Sequence, residues 1–258
     1  MSKYIIIITF FIIISRHLIG AQTNPVSHDL MKWEYSISYM NIPNTNLTFL
    51  IDDSFIQDDQ RLLRVEITAQ TYGILSRFFW VDNQYEALIE PESFLPVLLS
   101  KQINQKNIQQ NWTINYDHKR NLARLDSNTF WILPPACHNF FSMLFYLRVQ
   151  SLTIGEKYQL NLDVEKLDWL ANASVKKKDY LKVGDQRYSA IQVEIIYKPL
   201  ELNPGRSWKT DILTNRFAGA SNVTSVWYRD NAGRTILRVD YDSQTKMILK
   251  QESFLKAK

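Results

Sequence analysis

Cysteine is nearly absent from this chain: Cys137 stands alone, so no disulfide forms within it. A bacterial envelope tolerates that better than a small secreted eukaryotic domain would. Glycine is scarce too, with seven residues and no two of them two positions apart. Dinucleotide fingerprints and phosphate loops need clustered glycines so that the backbone can approach the phosphates, and both are therefore excluded. No Gly-X-Ser-X-Gly elbow and no His-Glu-X-X-His pair occurs. Beyond the N-terminal segment only His28, His118 and His138 remain, at unrelated spacings, which argues against a zinc site. Neither sign of charge dominates. The formal charge is +4 and the basic residues are scattered, so there is no electrostatic footprint for nucleic acid.

The N-terminus reads as an export signal. Lys3 supplies a positive start, Tyr4 to Ile14 is an apolar run, and Leu18-Ile-Gly-Ala21 offers small residues to a peptidase. A run of about 11 residues suits a signal peptide and falls short of the ~20 that span a bilayer. Residues 1–21 are thus expected to be removed, and 22–258 to form one β-rich domain. No second apolar run of spanning length follows. Loss of Lys3 and Arg16 brings the formal charge down to +2.

The dominant pattern is alternation. In 156–165, Tyr158, Leu160, Leu162 and Val164 point one way, and Lys157, Gln159, Asn161 and Asp163 point the other. A strand with one apolar and one polar face belongs to an antiparallel sheet wet on one side. The same period marks strands over Lys32–Met40, Asn46–Ile51, Leu62–Gln70, Tyr85–Glu90, Asn111–Asp117, Leu167–Val175, Tyr188–Lys198, Val223–Arg229, Arg234–Tyr241 and Lys246–Ser253, with Asn121–Leu125 pairing Asn111–Asp117. Residues 74–82 fit either a short helix or a strand. Asp52–Gln60 reads as a polar connection, Lys176–Asp179 as a solvated hairpin region, and 199–222 as a long excursion or lid. One segment is helical. After Pro134-Pro135, the run Ala136–Gln150 carries Cys137, Phe140, Phe141, Leu144 and Leu147 at helical spacing, with Met143, Phe145 and Tyr146 on the other face. A helix apolar all round is covered on both sides.

Cys137-His138 invites a nucleophile or metal reading. Neighbours on a helix point about 100° apart, and Cys137 lies on the apolar stripe, which favours a buried structural thiol. Asp52, Asp53, Asp58 and Asp59 have the oxygens calcium prefers but match no calcium loop, and a solvated connection explains them. The aromatic load remains: seven Trp, thirteen Tyr and thirteen Phe. It fits a large β core, or an apolar cavity between a curved sheet and the helix.

Several short stretches carry a resemblance. They are Tyr146-Leu-Arg148 with a spacer to Leu152 and Gly155, a strand opening at Tyr158, the ending Val226-Trp-Tyr-Arg-Asp230 to Arg234 and Ile236-Leu-Arg, and the opening Trp33-Glu-Tyr35. In these the chain resembles the exported bacterial proteins of the domain of unknown function 3108 family, over most of 31–253. Trp227, Asp230 and Arg234 approximate that family's Trp-X-X-Asp-X-X-Arg-like stretch. The chain departs from the family at Cys137-His-Asn139, where an Asp is common, and at Ser243-Gln244-Thr245, where a Gly is common. The resemblance implies an exported, β-rich envelope protein. It supplies no activity. Its further likeness to the half-open barrels of periplasmic lipoprotein carriers is fold analogy.

The expected architecture is a strongly curved antiparallel sheet, a half-open or closed β-barrel, with one apolar helix packed on its inner side. The expected role is a non-enzymatic binder or carrier of a lipid or other apolar ligand, periplasmic or extracellular. Its ligand surface would be lined by Trp33, Tyr35, Trp131, Phe141, Phe145 and Trp227, with no metal and no cofactor. An assembly module engaging another envelope protein is the alternative. A hydrolase ranks last for want of a nucleophile–base pair.

Overall fold

The computed structural model describes residues 29–77, 80–125, 128–200, 211, 214 and 223–256. The expected signal segment, and all but Pro199, Leu200, Asp211 and Thr214 of the 199–222 excursion, lie outside the described residues.

The strands are β1 (Asp29–Tyr39), β2 (Ile42–Gln57), β3 (Gln60–Thr71), β4 (Asp82–Ile89), β5 (Pro96–Gln105), β6 (Ile108–Asp117), β7 (Leu122–Arg124) and β8 (Phe130–Ile132), then β9 (Cys137–Asn139) before the helix α1 (Phe140–Val149). After it come β10 (Lys157–Val164), β11 (Leu167–Val183), β12 (Gln186–Pro199), β13 (Val223–Arg229), β14 (Ile236–Asp240) and β15 (Thr245–Lys256). They form one 15-stranded sheet in the order β8-β7-β6-β5-β4-β3-β2-β1-β15-β14-β13-β12-β11-β10-β9. Two meanders therefore meet where β1 pairs β15. All neighbours are antiparallel except β9 and β10.

The sheet curls without closing until strands near its two ends touch through their side chains. Tyr116 on β6 donates to Asp163 on β10 at 3.1 Å, and Lys101 on β5 pairs with Glu165 beyond β10. Inward side chains of both meanders bury Trp33, Tyr35, Phe49, Ile67, Ala87, Val193, Tyr228 and Val239. Within this curl sits α1, its Phe140, Phe141, Met143, Leu144, Phe145 and Leu147 all buried. Covering on every face explains its lack of a polar side.

Four expectations need correction. The helix begins at Phe140 rather than Ala136. Asn139 caps it, its side chain accepting from the Ser142 N–H at 2.8 Å while Ser142 Oγ accepts from the Asn139 N–H at 3.0 Å. Cys137–Asn139 instead pairs in parallel with Asn161–Asp163. Asp52–Gln60 is not a connection. β2 continues through a register shift between Asp52 and Phe55 and turns only at Asp58-Asp59, both at positive φ. Lys176–Asp179 does not turn, since β11 runs on after a register shift at Val175/Lys177 to the Gly184 turn. Pro96–Gln105, left without a strand in the sequence pattern, pairs on both sides as β5. Within the ambiguous 74–82, Ile74–Arg77 is a short 3-10 turn.

Candidate functional site

Four of the six aromatics expected to share a surface do meet around the helix. Trp33 stacks on Phe145 at 6.0 Å and 4°. Tyr35 sits edge-on to Phe49 at 5.5 Å and donates its hydroxyl to the Ile236 carbonyl at 2.9 Å. Phe141 lies edge-on to Phe49 and Tyr85. Trp131 is buried farther off, its ring 5.8 Å from the Lys166 ammonium. Trp227 does not join them. It alternates with the inward Val226 and Tyr228, lies opposite Gln192, and is covered from outside by Lys177 at 5.4 Å. Between sheet and helix the space is almost filled. A void of about 20 Å³ remains, lined by apolar side chains such as Leu47, Phe141 and Leu144 with Thr214. That is room for no more than about one water.

A buried ionic knot joins the two ends of the curl. Glu165 and Lys166 form the two-residue turn between β10 and β11, both at positive φ (57° and 61°) and both buried. Such turns favour Asn-Gly, and a charged pair there is held by its surroundings. Lys101 donates to Glu165, to Asp211 at 3.4 Å and to Thr214 at 3.2 Å. Thr214 also bonds Glu165 and Asp211, and Asp211 accepts from Tyr85 at 3.0 Å. Burial works against the Lys101 charge, but the Glu165 and Asp211 carboxylates more than offset it and hold the ammonium above its usual range. Burial likewise opposes the Asp211 charge, and Lys101 with the Thr214 bonds keeps that carboxyl low. Burial raises Glu165. Next to the knot, burial and then the Asp168 carboxylate directly opposite push Asp163 up to about 7. Burial, then Asp163 and Asp168, also pushes the Cys137 thiol up, so it is neither thiolate nor accessible.

The helix start brings Ser142 Oγ within 3.3 Å of His138 Nδ1, a proximity the sequence pattern did not single out. Both groups are buried, and Ser142 Oγ is engaged in the capping box. Burial lowers His138 to about 4. Neither the interior void nor the groove described next is lined by either residue. The pair fastens the helix.

A groove of about 710 Å³ opens at the mouth of the curl, beside the C-terminal end of α1. Its lining is mixed: Met31, Leu63, Pro91, Phe94 and Val149 are apolar, and Arg61, Arg148 and Arg234 with Asp53 and Asp230 are charged. Val149 is 52% exposed there. Phe94 and Arg234 hold positive φ (58° and 40°), a conformation costly for side chains of this size. Arg148 lies over Trp33 at 5.1 Å and donates Nε to the Gly233 carbonyl at 2.7 Å. Arg234 donates to the carbonyls of Arg148 (3.2 Å) and Ser151 (3.1 Å), tying off the helix end. Sequence reading named Arg148 and Arg234 only as family landmarks. Their convergence depends on the β13–β14 turn folding over the helix.

A curled antiparallel sheet around one buried helix defines a β-barrel-like protein. The chain belongs to the DUF3108 family, described as proteins of unknown function, whose model matches residues 34–246. It is similar in fold to a β-barrel-like protein of domain of unknown function DUF1849 from Brucella abortus, with TM-score 0.57 and 9% identity, covering 89% of this chain and 99% of that one. Comparison with curated proteins finds no match. Among the described residues no helix is long and apolar enough to cross a membrane, and no three His, Cys, Asp or Glu side chains gather as metal ligands.

Proposed function

We propose that this is an exported, non-enzymatic binding protein of the bacterial cell envelope, periplasmic or extracellular, that takes an apolar ligand at the mouth of the curl. The observation carrying this reading is the contrast between the two spaces. The void between sheet and helix holds about 20 Å³, whereas the mouth groove offers about 710 Å³. A groove of that size lined in part by Met31, Leu63, Phe94 and Val149 suits a small apolar ligand. Export rests on the N-terminal apolar run.

The test is displacement of the fluorescent probe N-phenylnaphthylamine by hexadecanol. The wild type is expected to give saturable one-to-one displacement. Val149→Glu, a change at an exposed position, removes it by placing a charge among the apolar lining residues. Phe141→Leu, inside the packed interior, leaves it intact. Absence of displacement in folded wild type contradicts the proposal. An assembly role has one observation of its own: Phe130 and Ile132, on the terminal strand β8, are 58% and 61% exposed. A stoichiometric protein partner cross-linking through Phe130, with no ligand in the groove, would favour it.

A further inference from the structure

Within the proposed binding groove, on whose ligand-binding role this inference rests, one cation is built in and left unused. Arg148 spends Nε on the Gly233 carbonyl and lays its guanidinium over Trp33 and Phe145. Its two terminal nitrogens form no hydrogen bond, and no carboxylate pairs with it among the described residues. Among the described residues Arg61 bonds only the Asp53 carbonyl through Nε, so its terminal nitrogens are open to a ligand too. Among the described residues no acidic group of the groove forms an ion pair with either arginine. Asp230 is engaged by Lys178 and Ser189. Asp53 and Glu252 act on Arg148 only through space, and Glu252 is held by Arg229 and Thr235. Met31, Leu63, Phe94 and Val149 line the same groove as these cations.

A guanidinium fixed by packing, with its terminal fork open, matches the two oxygens of a carboxylate or phosphate. Immobilisation by Trp33 and Gly233 lowers the ordering cost of making that contact. We infer that the groove binds an acidic amphiphile, with Arg148 and Arg61 gripping its oxyanion head and Met31, Leu63, Phe94 and Val149 receiving its apolar chain. Arg234 is a positioning residue, since it holds the Arg148 carbonyl rather than the ligand.

The experiment compares affinities of the full folded protein for palmitate, palmitoyl lysophosphatidate, hexadecanol and inorganic phosphate by displacement of the same probe or by calorimetry. At least one of the two acidic lipids is expected to bind tenfold or more tighter than hexadecanol. Arg148→Gln brings it to within about threefold of hexadecanol's affinity. Arg148→Lys keeps the charge but not the fork and gives an intermediate loss. Arg61→Gln, at an exposed position, also narrows the ratio and serves if the Arg148 variants fail to fold. Equal affinity for acidic and neutral lipids overturns the inference but leaves the apolar-ligand reading standing. No binding of any lipid overturns both. Inorganic phosphate binding as tightly as the acidic lipids overturns the amphiphile. A ratio unmoved by Arg61→Gln and by every folded Arg148 variant overturns the assignment of the head.

Discussion

Replacing Asp163 by Asn should flatten the pH dependence of stability. Asp163 is buried on β10, receives the Tyr116 hydroxyl at 3.1 Å and stands directly opposite Asp168. Glu165, Lys101 and the Cys137 thiol surround the same spot. Burial first, then the Asp168 charge, lifts it from 3.8 to about 7. Folding therefore favours its protonated form. The stability this confers is complete below the unfolded pKa near 4 and is lost as pH rises through about 7. A rise of about three units at ~1.36 kcal/mol each amounts to on the order of 4 kcal/mol. Asn keeps an oxygen for Tyr116 and cannot ionise. Urea unfolding followed by Trp fluorescence between about pH 4.5 and 8 tests this, provided the urea dependence (m) stays constant. The wild type is expected to lose stability across that range, and the variant to lose several kcal/mol less. Parallel pH profiles for the two proteins would refute the reasoning.

Lys101→Met leaves Glu165 and Asp211 buried without their cation, and should cost about 3–5 kcal/mol in urea midpoint analysis. A loss under 1 kcal/mol would show the knot to be hydrated and weak. Phe141→Ala, at the packed face of the helix, should cost about 3–5 kcal/mol, measured the same way. Asn139→Ala removes the side-chain half of the capping box and should cost about 1–2 kcal/mol. An unchanged midpoint would mean that β9, not the cap, fixes the helix start.

Alternation carried most of the architecture. Trp33, Tyr35 and Ile37 face inward and Glu34, Ser36 and Ser38 outward because a pleated strand offers no other choice. The same logic assigned most other strands and set the all-apolar helix inside. It failed where polarity was local and pairing was not. Lys176 to Asp179 are exposed along a strand that outruns the core, so their charge resembles a turn. β5 hides its period because Lys101 and Gln105 are buried inward and Leu98 is only partly covered. Composition alone cannot say which of two adjacent aromatics reaches the helix, and here it is Tyr228 rather than Trp227. The ionic knot and the mouth groove were illegible for a deeper reason. Lys101, Glu165 and Asp211 are far apart in sequence, and Arg61 meets Arg148 only through the curl. The one local signal was Glu165-Lys166, two charges spanning a gap of only two residues between alternating runs.

Photo-cross-linking of a diazirine-bearing palmitate, with adducts located by peptide mass spectrometry, tests the central claim most directly. Adducts are predicted at Met31, Leu63, Phe94 and Val149, at the mouth. Labelling of Leu47, Phe141 and Leu144 instead would mean that the sheet and helix part to take the ligand inside, and would contradict the account of a filled interior and an outer binding groove.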